Sequence, residues 1–558
     1  MPNTQPQLPW FFRLSLLLFA CSLCLSSAGI ADDKGPIKSA PDTLVICSVD
    51  LQPALQPWLD YRRQQGHRIV VRASQKTSLE NRRMIATIAQ AGTLRNVVIV
   101  GDSSDAWQNP KTLVPTDYVL AKVNVKFGSE PIIATDNPYA DLDNDGIPEL
   151  TIGRIPVDDA QQLKTFIQRI IEYEQMKPGQ WQRKLNLVAG LGGFGGLVDK
   201  IIENTTKQIL TELVPAGFPT TMTYASRTSP YCPDPNRFSD TAIERFNEGC
   251  MFWVYMGHGH RYQLDNFRLP DRKLKILDTS MVSKLNCRNG SPIAVCLSCY
   301  TGAHDSHGDC LAETMLRQRG GPISVVCGTR VTMPYAMSVL SVGMMEEYFR
   351  GDCSTLGELM LNAKKRMVSI EDDRWQELLE ALGQSFSPLP DLLDAECREH
   401  IHLIHLLGDP LLRLKRPGKL GLNVESKEEK LLPGSTIAVS GVAPWRGKLR
   451  IEVAYQRDRF RKRPSFRKQY EPTAQAFDKM QQEYMDAIDL VCVKNDAMVE
   501  AGKFKFELTL PPGASGRCDI RAVMVADEGM AVDSQPIRIA RQSREARRKQ
   551  LESTANPR

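Results

Sequence analysis

Two apolar runs in this chain end on residues able to carry a reaction. Residues 250–260 read CMFWVYMGHGH, so a buried strand would stop at Gly257 and hand over to His258, Gly259 and His260. About forty residues later, SPIAVCLSCYTG over 291–302 closes its own run on Ser298 and Cys299. A cysteine attacks as its thiolate, and a reference pKa near 8.5 leaves only a few per cent ionised at neutral pH. A neighbouring imidazole helps remove the proton and can return one to a leaving amine. The amides of Gly259 and Cys299 would then hold a developing oxyanion, with glycine permitting close backbone approach. Cys296 is the competing nucleophile, but strand alternation turns it to the opposite face, among apolar neighbours. Taken singly, a histidine after a strand is usually a loop residue and a cysteine in an apolar run is usually packing. Their tandem placement makes them a candidate pair.

Other stretches carry weaker chemistry. DLDNDGIPEL over 141–150 sets Asp141, Asp143 and Asp145 at alternate positions, with Gly146 for a sharp turn and Glu149 in the ninth place. That set suits a hard cation such as Ca²⁺, although Ile152 in the twelfth place excludes an EF-hand; the plain alternative is a solvated acidic turn. Cys299, His304, His307 and Cys310 in CYTGAHDSHGDC could instead ligate zinc, which would deny Cys299 its role as a nucleophile. GLGGFG at 190–195 has dinucleotide-loop spacing but no acidic residue ends the next strand, so it reads as a loop flanking the cleft. HIHLIH at 400–405 reads as a strand with His400, His402 and His405 satisfied locally.

The elements that must position these residues follow from periodicity. From 43 to about 105, apolar runs (TLVICSV, HRIVVRA, LRNVVIVGD) alternate with amphipathic helical segments, the signature of βαβ units and a parallel sheet covered on both faces. TIGRIPV and a helix at 158–175 follow. A second series runs KLNLVAG, a helix near 198–213, TMTYAS, a helix near 238–248, CMFWVYMG, SPIAVCLS, a helix near 311–318 and GPISVVCG, then helices from 336 to about 385. In such sheets, functional groups gather beyond the carboxyl ends of the strands. After 418, short alternating runs parted by Gly and Pro predict a β-sandwich.

The 558 residues exceed one core, and the net charge of +5 makes no case for nucleic acid. The run LSLLLFACSLCLSSAGIA after Arg13 reads as an export signal cleaved near Ala31, its apolar core short of the roughly 20 residues a membrane span needs. Fourteen cysteines include Cys21 and Cys24 within that signal; Cys47, Cys296 and Cys327 read as buried thiols, and Cys492 with Cys518 as the best disulfide pair. The basic run RDRFRKRPSFRKQY at 457–470 suits either solvated surface, an anionic envelope polymer or self-processing.

An apolar block ending in His-Gly followed by one ending in Ser-Cys resembles the caspase-like clan of cysteine peptidases, and more closely the gingipain family. VYMGHGH, SCYTG with CLAETMLR, IGRIP before a helix, and LLGDPLLRL before a β-rich domain are similar in order and spacing. The resemblance implies an α/β fold: a caspase-like parallel-sheet α/β/α sandwich in two subdomains, 40–182 and 183–418, then an immunoglobulin-like β-sandwich over 419–541 and a basic tail at 542–558. It implies His258 as acid/base, Cys299 as nucleophile, Asp199 as the group selecting Arg or Lys, and Met333 and Met337 as pocket walls. Substrates would be proteins or peptides. The same dyad also serves acyl transfer to an amine, and the same fold could bind envelope partners without turnover.

Overall fold

A computed structural model describes residues 40–541 apart from 104–110, 192–195, 370–373, 427–429, 466 and 468–469, and omits the side chains of 196–202 and 386. The signal at 1–31 and the tail at 542–558 lie outside the described residues. Ten strands form one sheet: β1 (Thr43–Cys47), β2 (Ile69–Ala73), β3 (Asn96–Val100), β4 (Thr151–Ile155), β5 (Leu185–Ala189), β6 (Thr220–Tyr224), β7 (Phe252–Met256), β8 (Ile293–Leu297), β9 (Ser324–Gly328) and β10 (Ile404–Leu407). Their order is β2-β1-β3-β4-β10-β9-β8-β7-β5-β6. All neighbours are parallel except β10 and β9, so two parallel halves meet at one antiparallel seam. β1, β3, β5 and β9 are buried along their whole length, which is why they read as unbroken apolar runs rather than as alternation.

Helices cover both faces: α1 (Gln52–Gln64), α2 (Ser78–Ala89), α3 (Ala160–Gln175), α4 (Gly196–Leu213), α5 (Phe238–Asn247), α6 (Leu311–Arg317), α7 (Pro334–Phe349), α8 (Leu356–Arg366), α9 (Arg374–Phe386) and α10 (Leu393–Leu403). Local chemistry starts several of them. Thr77 with Glu80 and Thr355 with Glu358 form capping boxes, and Asp159 accepts from the amides of Gln161 and Gln162. HIHLIH is no single strand, because α10 runs through His402 and only 404–407 extends.

The motifs IGRIP and GDPLL touch each other at the seam. A Cβ on Gly153 would lie 2.8 Å from both the Gly408 carbonyl and Pro410 Cδ, so only glycine lets β4 pass the turn after β10. Asp409 in that turn accepts from Trp58 Nε1 at 2.5 Å and from Arg62 at 2.7 Å, and Arg62 also pairs with Glu174 of α3 at 2.8 Å. One apolar core runs through both halves, from Trp58 to Trp253 and Met360.

Beyond 418 stand a three-stranded sheet (Asn423–Ser426, Thr436–Ala443, Gly502–Thr509) and a four-stranded one (Gly447–Tyr455, Val491–Val499, Gly516–Val525, Met530–Ile539), with a shared apolar core. The sequence reading missed α11 (Ala474–Ile488), which packs on edge strand β6. It also erred on the disulfide. The described cysteines are free, and Cys492 and Cys518 lie on strands flanking 447–455 from opposite sides. Two strand spacings, about 9.5 Å, exceed the reach of a disulfide.

Candidate active site

Strand register brings the two chemically competent endings to one level. β7 and β8 are neighbours, with Met256 paired to Leu297 at their last position. His258 and Cys299 each lie two residues further on, at adjacent tips about 4.8 Å apart in strand spacing. The Gly257 amide donates to the Leu297 carbonyl at 3.4 Å, carrying the ladder past the strand ends. Gly259 then crosses directly over the backbone of Cys299: a Cβ there would sit 2.6 Å from the Cys299 carbonyl oxygen and 2.9 Å from Ser298 Oγ. His258 is exposed, Gly259 buried and Cys299 half-buried.

The loop holding His258 rests on Tyr255. Its buried hydroxyl donates to the His258 carbonyl at 2.8 Å and accepts from the Asp265 amide at 3.2 Å. A Cβ on Gly257 or Gly190 would lie within 3.0 Å of that hydroxyl, so both glycines are dictated by the tyrosine beneath them. The sulfur of Cys299 accepts from the Thr332 amide at 3.3 Å and faces the Thr332 hydroxyl at 3.7 Å. The thiol in turn faces the Thr332 carbonyl at 3.6 Å as a donor. Cys296 is a different case: it is 1% exposed, and burial pushes its thiol up to about 12.

His258, Cys299, Met333 and Met337 line one cavity of about 490 Å³. Its walls include Ala189, Met256, Leu297 and Val342 from the sheet and α7. Met333 precedes α7, and its amide donates to His400 Nε2 at 2.8 Å, while the Ala336 amide donates to Glu396 at 2.9 Å. Two side chains of α10 thereby satisfy amides that the first turn of α7 leaves unpaired. His400 Nδ1 lies 2.7 Å from the Glu396 carbonyl, and burial pushes the imidazole down to about 4, so it stays neutral. Asp199 lies in α4, but its side chain is outside the described ones.

The proposed zinc ligands are not brought together. Cys310 is buried at the start of α6, while His304 turns inward with Nε2 3.3 Å from Thr116. His304 and His405 lie with Asp136 inside 4.8 Å, yet both Asp136 oxygens already accept from Arg154 at 2.7 Å. That cluster is built around the buried Arg154–Asp136 ion pair. Asp141, Asp143, Asp145 and Glu149, in contrast, converge with one oxygen each within 4.8 Å. Asp141 accepts from the Asn144 and Gly146 amides at 2.7 and 2.9 Å, and Glu149 from Leu142 at 2.6 Å. Burial and the neighbouring carboxylates hold the Asp141 and Glu149 pKa values above the usual range despite these amides. A turn that crowds four carboxylates against their own repulsion fits a hard cation.

The basic run is divided: Arg459, Arg461, Lys462 and Arg463 are exposed, whereas Arg457 and Arg467 are engaged with the α/β body. Arg457 donates to the carbonyls of Val214 at 2.7 Å and Leu210 at 3.2 Å, and Arg467 to Ser229 at 3.0 Å and Cys232 at 3.2 Å. The sequence also gave no sign of Thr332 at the sulfur, since a contact 33 residues away leaves no local pattern.

The family model for Peptidase family C25 matches residues 37–415. Among curated proteins, Gingipain R2 of Porphyromonas gingivalis is 24% identical over 305 residues, 51% of this chain and 36% of the relative. Gingipain R1 of the same organism is equally identical over 27% of its length. The chain thus spans about a third of the length of these curated relatives. Among solved structures, one titled Structure of Protease aligns at TM-score 0.50 and 15% identity, covering 90% of this chain and 99% of the other. The crystal structure of gingipain R aligns at TM-score 0.49 and 16% identity, covering 90% and 100%. The first of these likenesses shows a shared fold.

Proposed function

The chain belongs to peptidase family C25, and from that premise we propose that it is an exported cysteine endopeptidase working through His258 and Cys299. The observation that carries the reading is the shared level of the two residues, each two positions past a paired strand end and both opening on one cavity. His258 takes the thiol proton, and the Cys299 sulfur adds to the scissile carbonyl. The amides of Gly259 and Cys299 receive the oxyanion. Collapse expels the amine, protonated by His258, and leaves a thioester on Cys299. Water activated by the same imidazole then releases the acid. Met333 and Met337 wall the pocket for the side chain on the acyl side.

A preference for Arg or Lys would rest on Asp199 in the sequence of α4; a charge-assisted bond to that carboxylate would select a cation. Asp141, Asp143, Asp145 and Glu149 would hold Ca²⁺ as a structural ion. Export rests on the apolar segment ending near Ala31; no helix of the described residues is long and apolar enough to cross a membrane. The test is mass spectrometry of a peptide library incubated with the mature chain and an amine acceptor. The reading expects free carboxyl termini, and loss of the Arg/Lys preference in Asp199→Ala. Amine-capped products would instead make the chain an acyl transferase. An intact library would favour an envelope-binding protein that keeps the fold.

A further inference from the structure

The residue after the nucleophile sits in a conformation that its side chain disfavours. Tyr300 has φ +58°, and among the described residues only Asn144 is likewise a non-glycine with positive φ. Asparagine visits the left-handed region readily; a bulky aromatic residue does not. The turn has a consequence for the sulfur. The Tyr300 amide donates to the Arg330 carbonyl at 3.1 Å and Gly302 to Gly328 at 2.9 Å, folding the 299–302 loop onto the 328–332 segment that carries Thr332. A backbone outlier of this kind persists where the surroundings over-determine it.

Those surroundings converge on one carboxylate. The Tyr300 hydroxyl donates to Glu130 Oε2 at 2.5 Å. Arg261 pairs with Glu130 Oε1 and lies 5.0 Å from the centre of the Tyr300 ring. Arg330 Nε is 3.8 Å from Glu130 Oε2 and is itself held by Asp305 through two bonds of 2.9 and 2.6 Å. Glu130 precedes the strand Ile132–Thr135, paired with Asp117–Leu120 in a hairpin between β3 and β4. Arg261 follows the His258–Gly259 loop, Tyr300 follows Cys299, and Arg330 precedes Thr332. One side chain therefore contacts the three loops that carry His258, Cys299 and Thr332. A half-exposed ion pair alone would contribute little; the strained tyrosine at its centre is what sets this one apart.

We infer that Glu130 is a positioning residue, which through Tyr300 and Arg261 fixes the Cys299 loop against the His258 loop and so governs turnover rather than substrate capture. The inference rests on the dyad reading above. Its test measures kcat and KM on a cleaved library peptide, the rate of Cys299 carbamidomethylation by iodoacetamide, and the melting temperature. Tyr300→Phe and Glu130→Ala are expected to lower kcat about tenfold or more, with KM within about twofold, and to slow alkylation. Glu130→Gln, which still accepts from Tyr300, should recover most of both. Tyr300→Phe is nearly isosteric, so it carries the test even where Glu130→Ala does not fold. Wild-type kcat and alkylation in Tyr300→Phe, or an effect on KM alone, would overturn the inference. Alkylation needs no peptide, so a chain that alkylates in the expected order yet cleaves nothing supports the positioning role while sinking the hydrolytic reading.

Discussion

At the scale of single residues, the account depends on close approach. Gly259 has no space for a side chain above the Cys299 carbonyl, where a Cβ would fall at 2.6 Å. Gly259→Ala should therefore displace the two loops and cut kcat about a hundredfold, with only a modest change in melting temperature; steady-state kinetics beside calorimetry checks this. His258, Cys299 and Gly259 were legible in the sequence because each follows an apolar run whose end is marked by glycine or by a polar residue. What could not be read was the register, Met256 opposite Leu297, that sets them level. Tyr300 and Glu130 were equally invisible, since a contact across 170 residues has no local signature. Cys296 is buried, as its apolar run implied, and burial pushes its thiol up to about 12.

Elements hold the pocket in two ways that can be tested. α10 caps α7 through His400 and Glu396, so the wall bearing Met333 and Met337 responds to acid. The folded His400 is depressed from 6.5 to about 4, so between these values the unfolded chain binds more protons and the stability contributed by neutral His400 falls as pH drops. Burial raises Glu396 to about 7, which acts in the opposite direction, so the effect must be read by difference. The melting-temperature gap between wild type and His400→Gln should narrow from pH 6.5 to pH 4; a constant gap would contradict it. The acidic turn at 141–149 is the second device: Ca²⁺ should raise the melting temperature and Asp143→Ala should abolish the rise, with EDTA-treated protein as reference. Alternating aspartates made this turn readable. HIHLIH was misread because the helix-to-strand change at Ile404 falls inside an apolar run that suits either state.

Across the whole molecule, the β-rich region packs as part of the α/β body. Tyr484 of α11 meets Thr223 of β6 at 2.9 Å, and the buried pair Arg183–Glu452 closes at 3.0 Å. Phe477 and Met480 belong to the main apolar core. A chain ending at 418 would expose the β6 edge and strand Arg183 without its partner, a loss of several kcal/mol for a buried ion. Such a truncation should aggregate or melt well below the full chain, whereas 40–541 should melt in one transition by calorimetry. The α/β series and the sandwich were legible from periodicity. α11 was not, although Phe477, Met480, Tyr484 and Ala487 keep helical spacing, because the β-rich text around it dominated the reading. The run at 457–470 was legible only as charge; its use of Arg457 and Arg467 to bind carbonyls across the domain boundary is tertiary information.

The most direct test of the central claim is labelling of the mature chain by a peptidyl acyloxymethyl ketone, with the modified residue located by mass spectrometry. The account predicts a single thioether on Cys299, absent in Cys299→Ala, strongly reduced in His258→Ala and unchanged in Cys296→Ala. Labelling of Cys296, or labelling of Cys299 that is indifferent to His258, would contradict it.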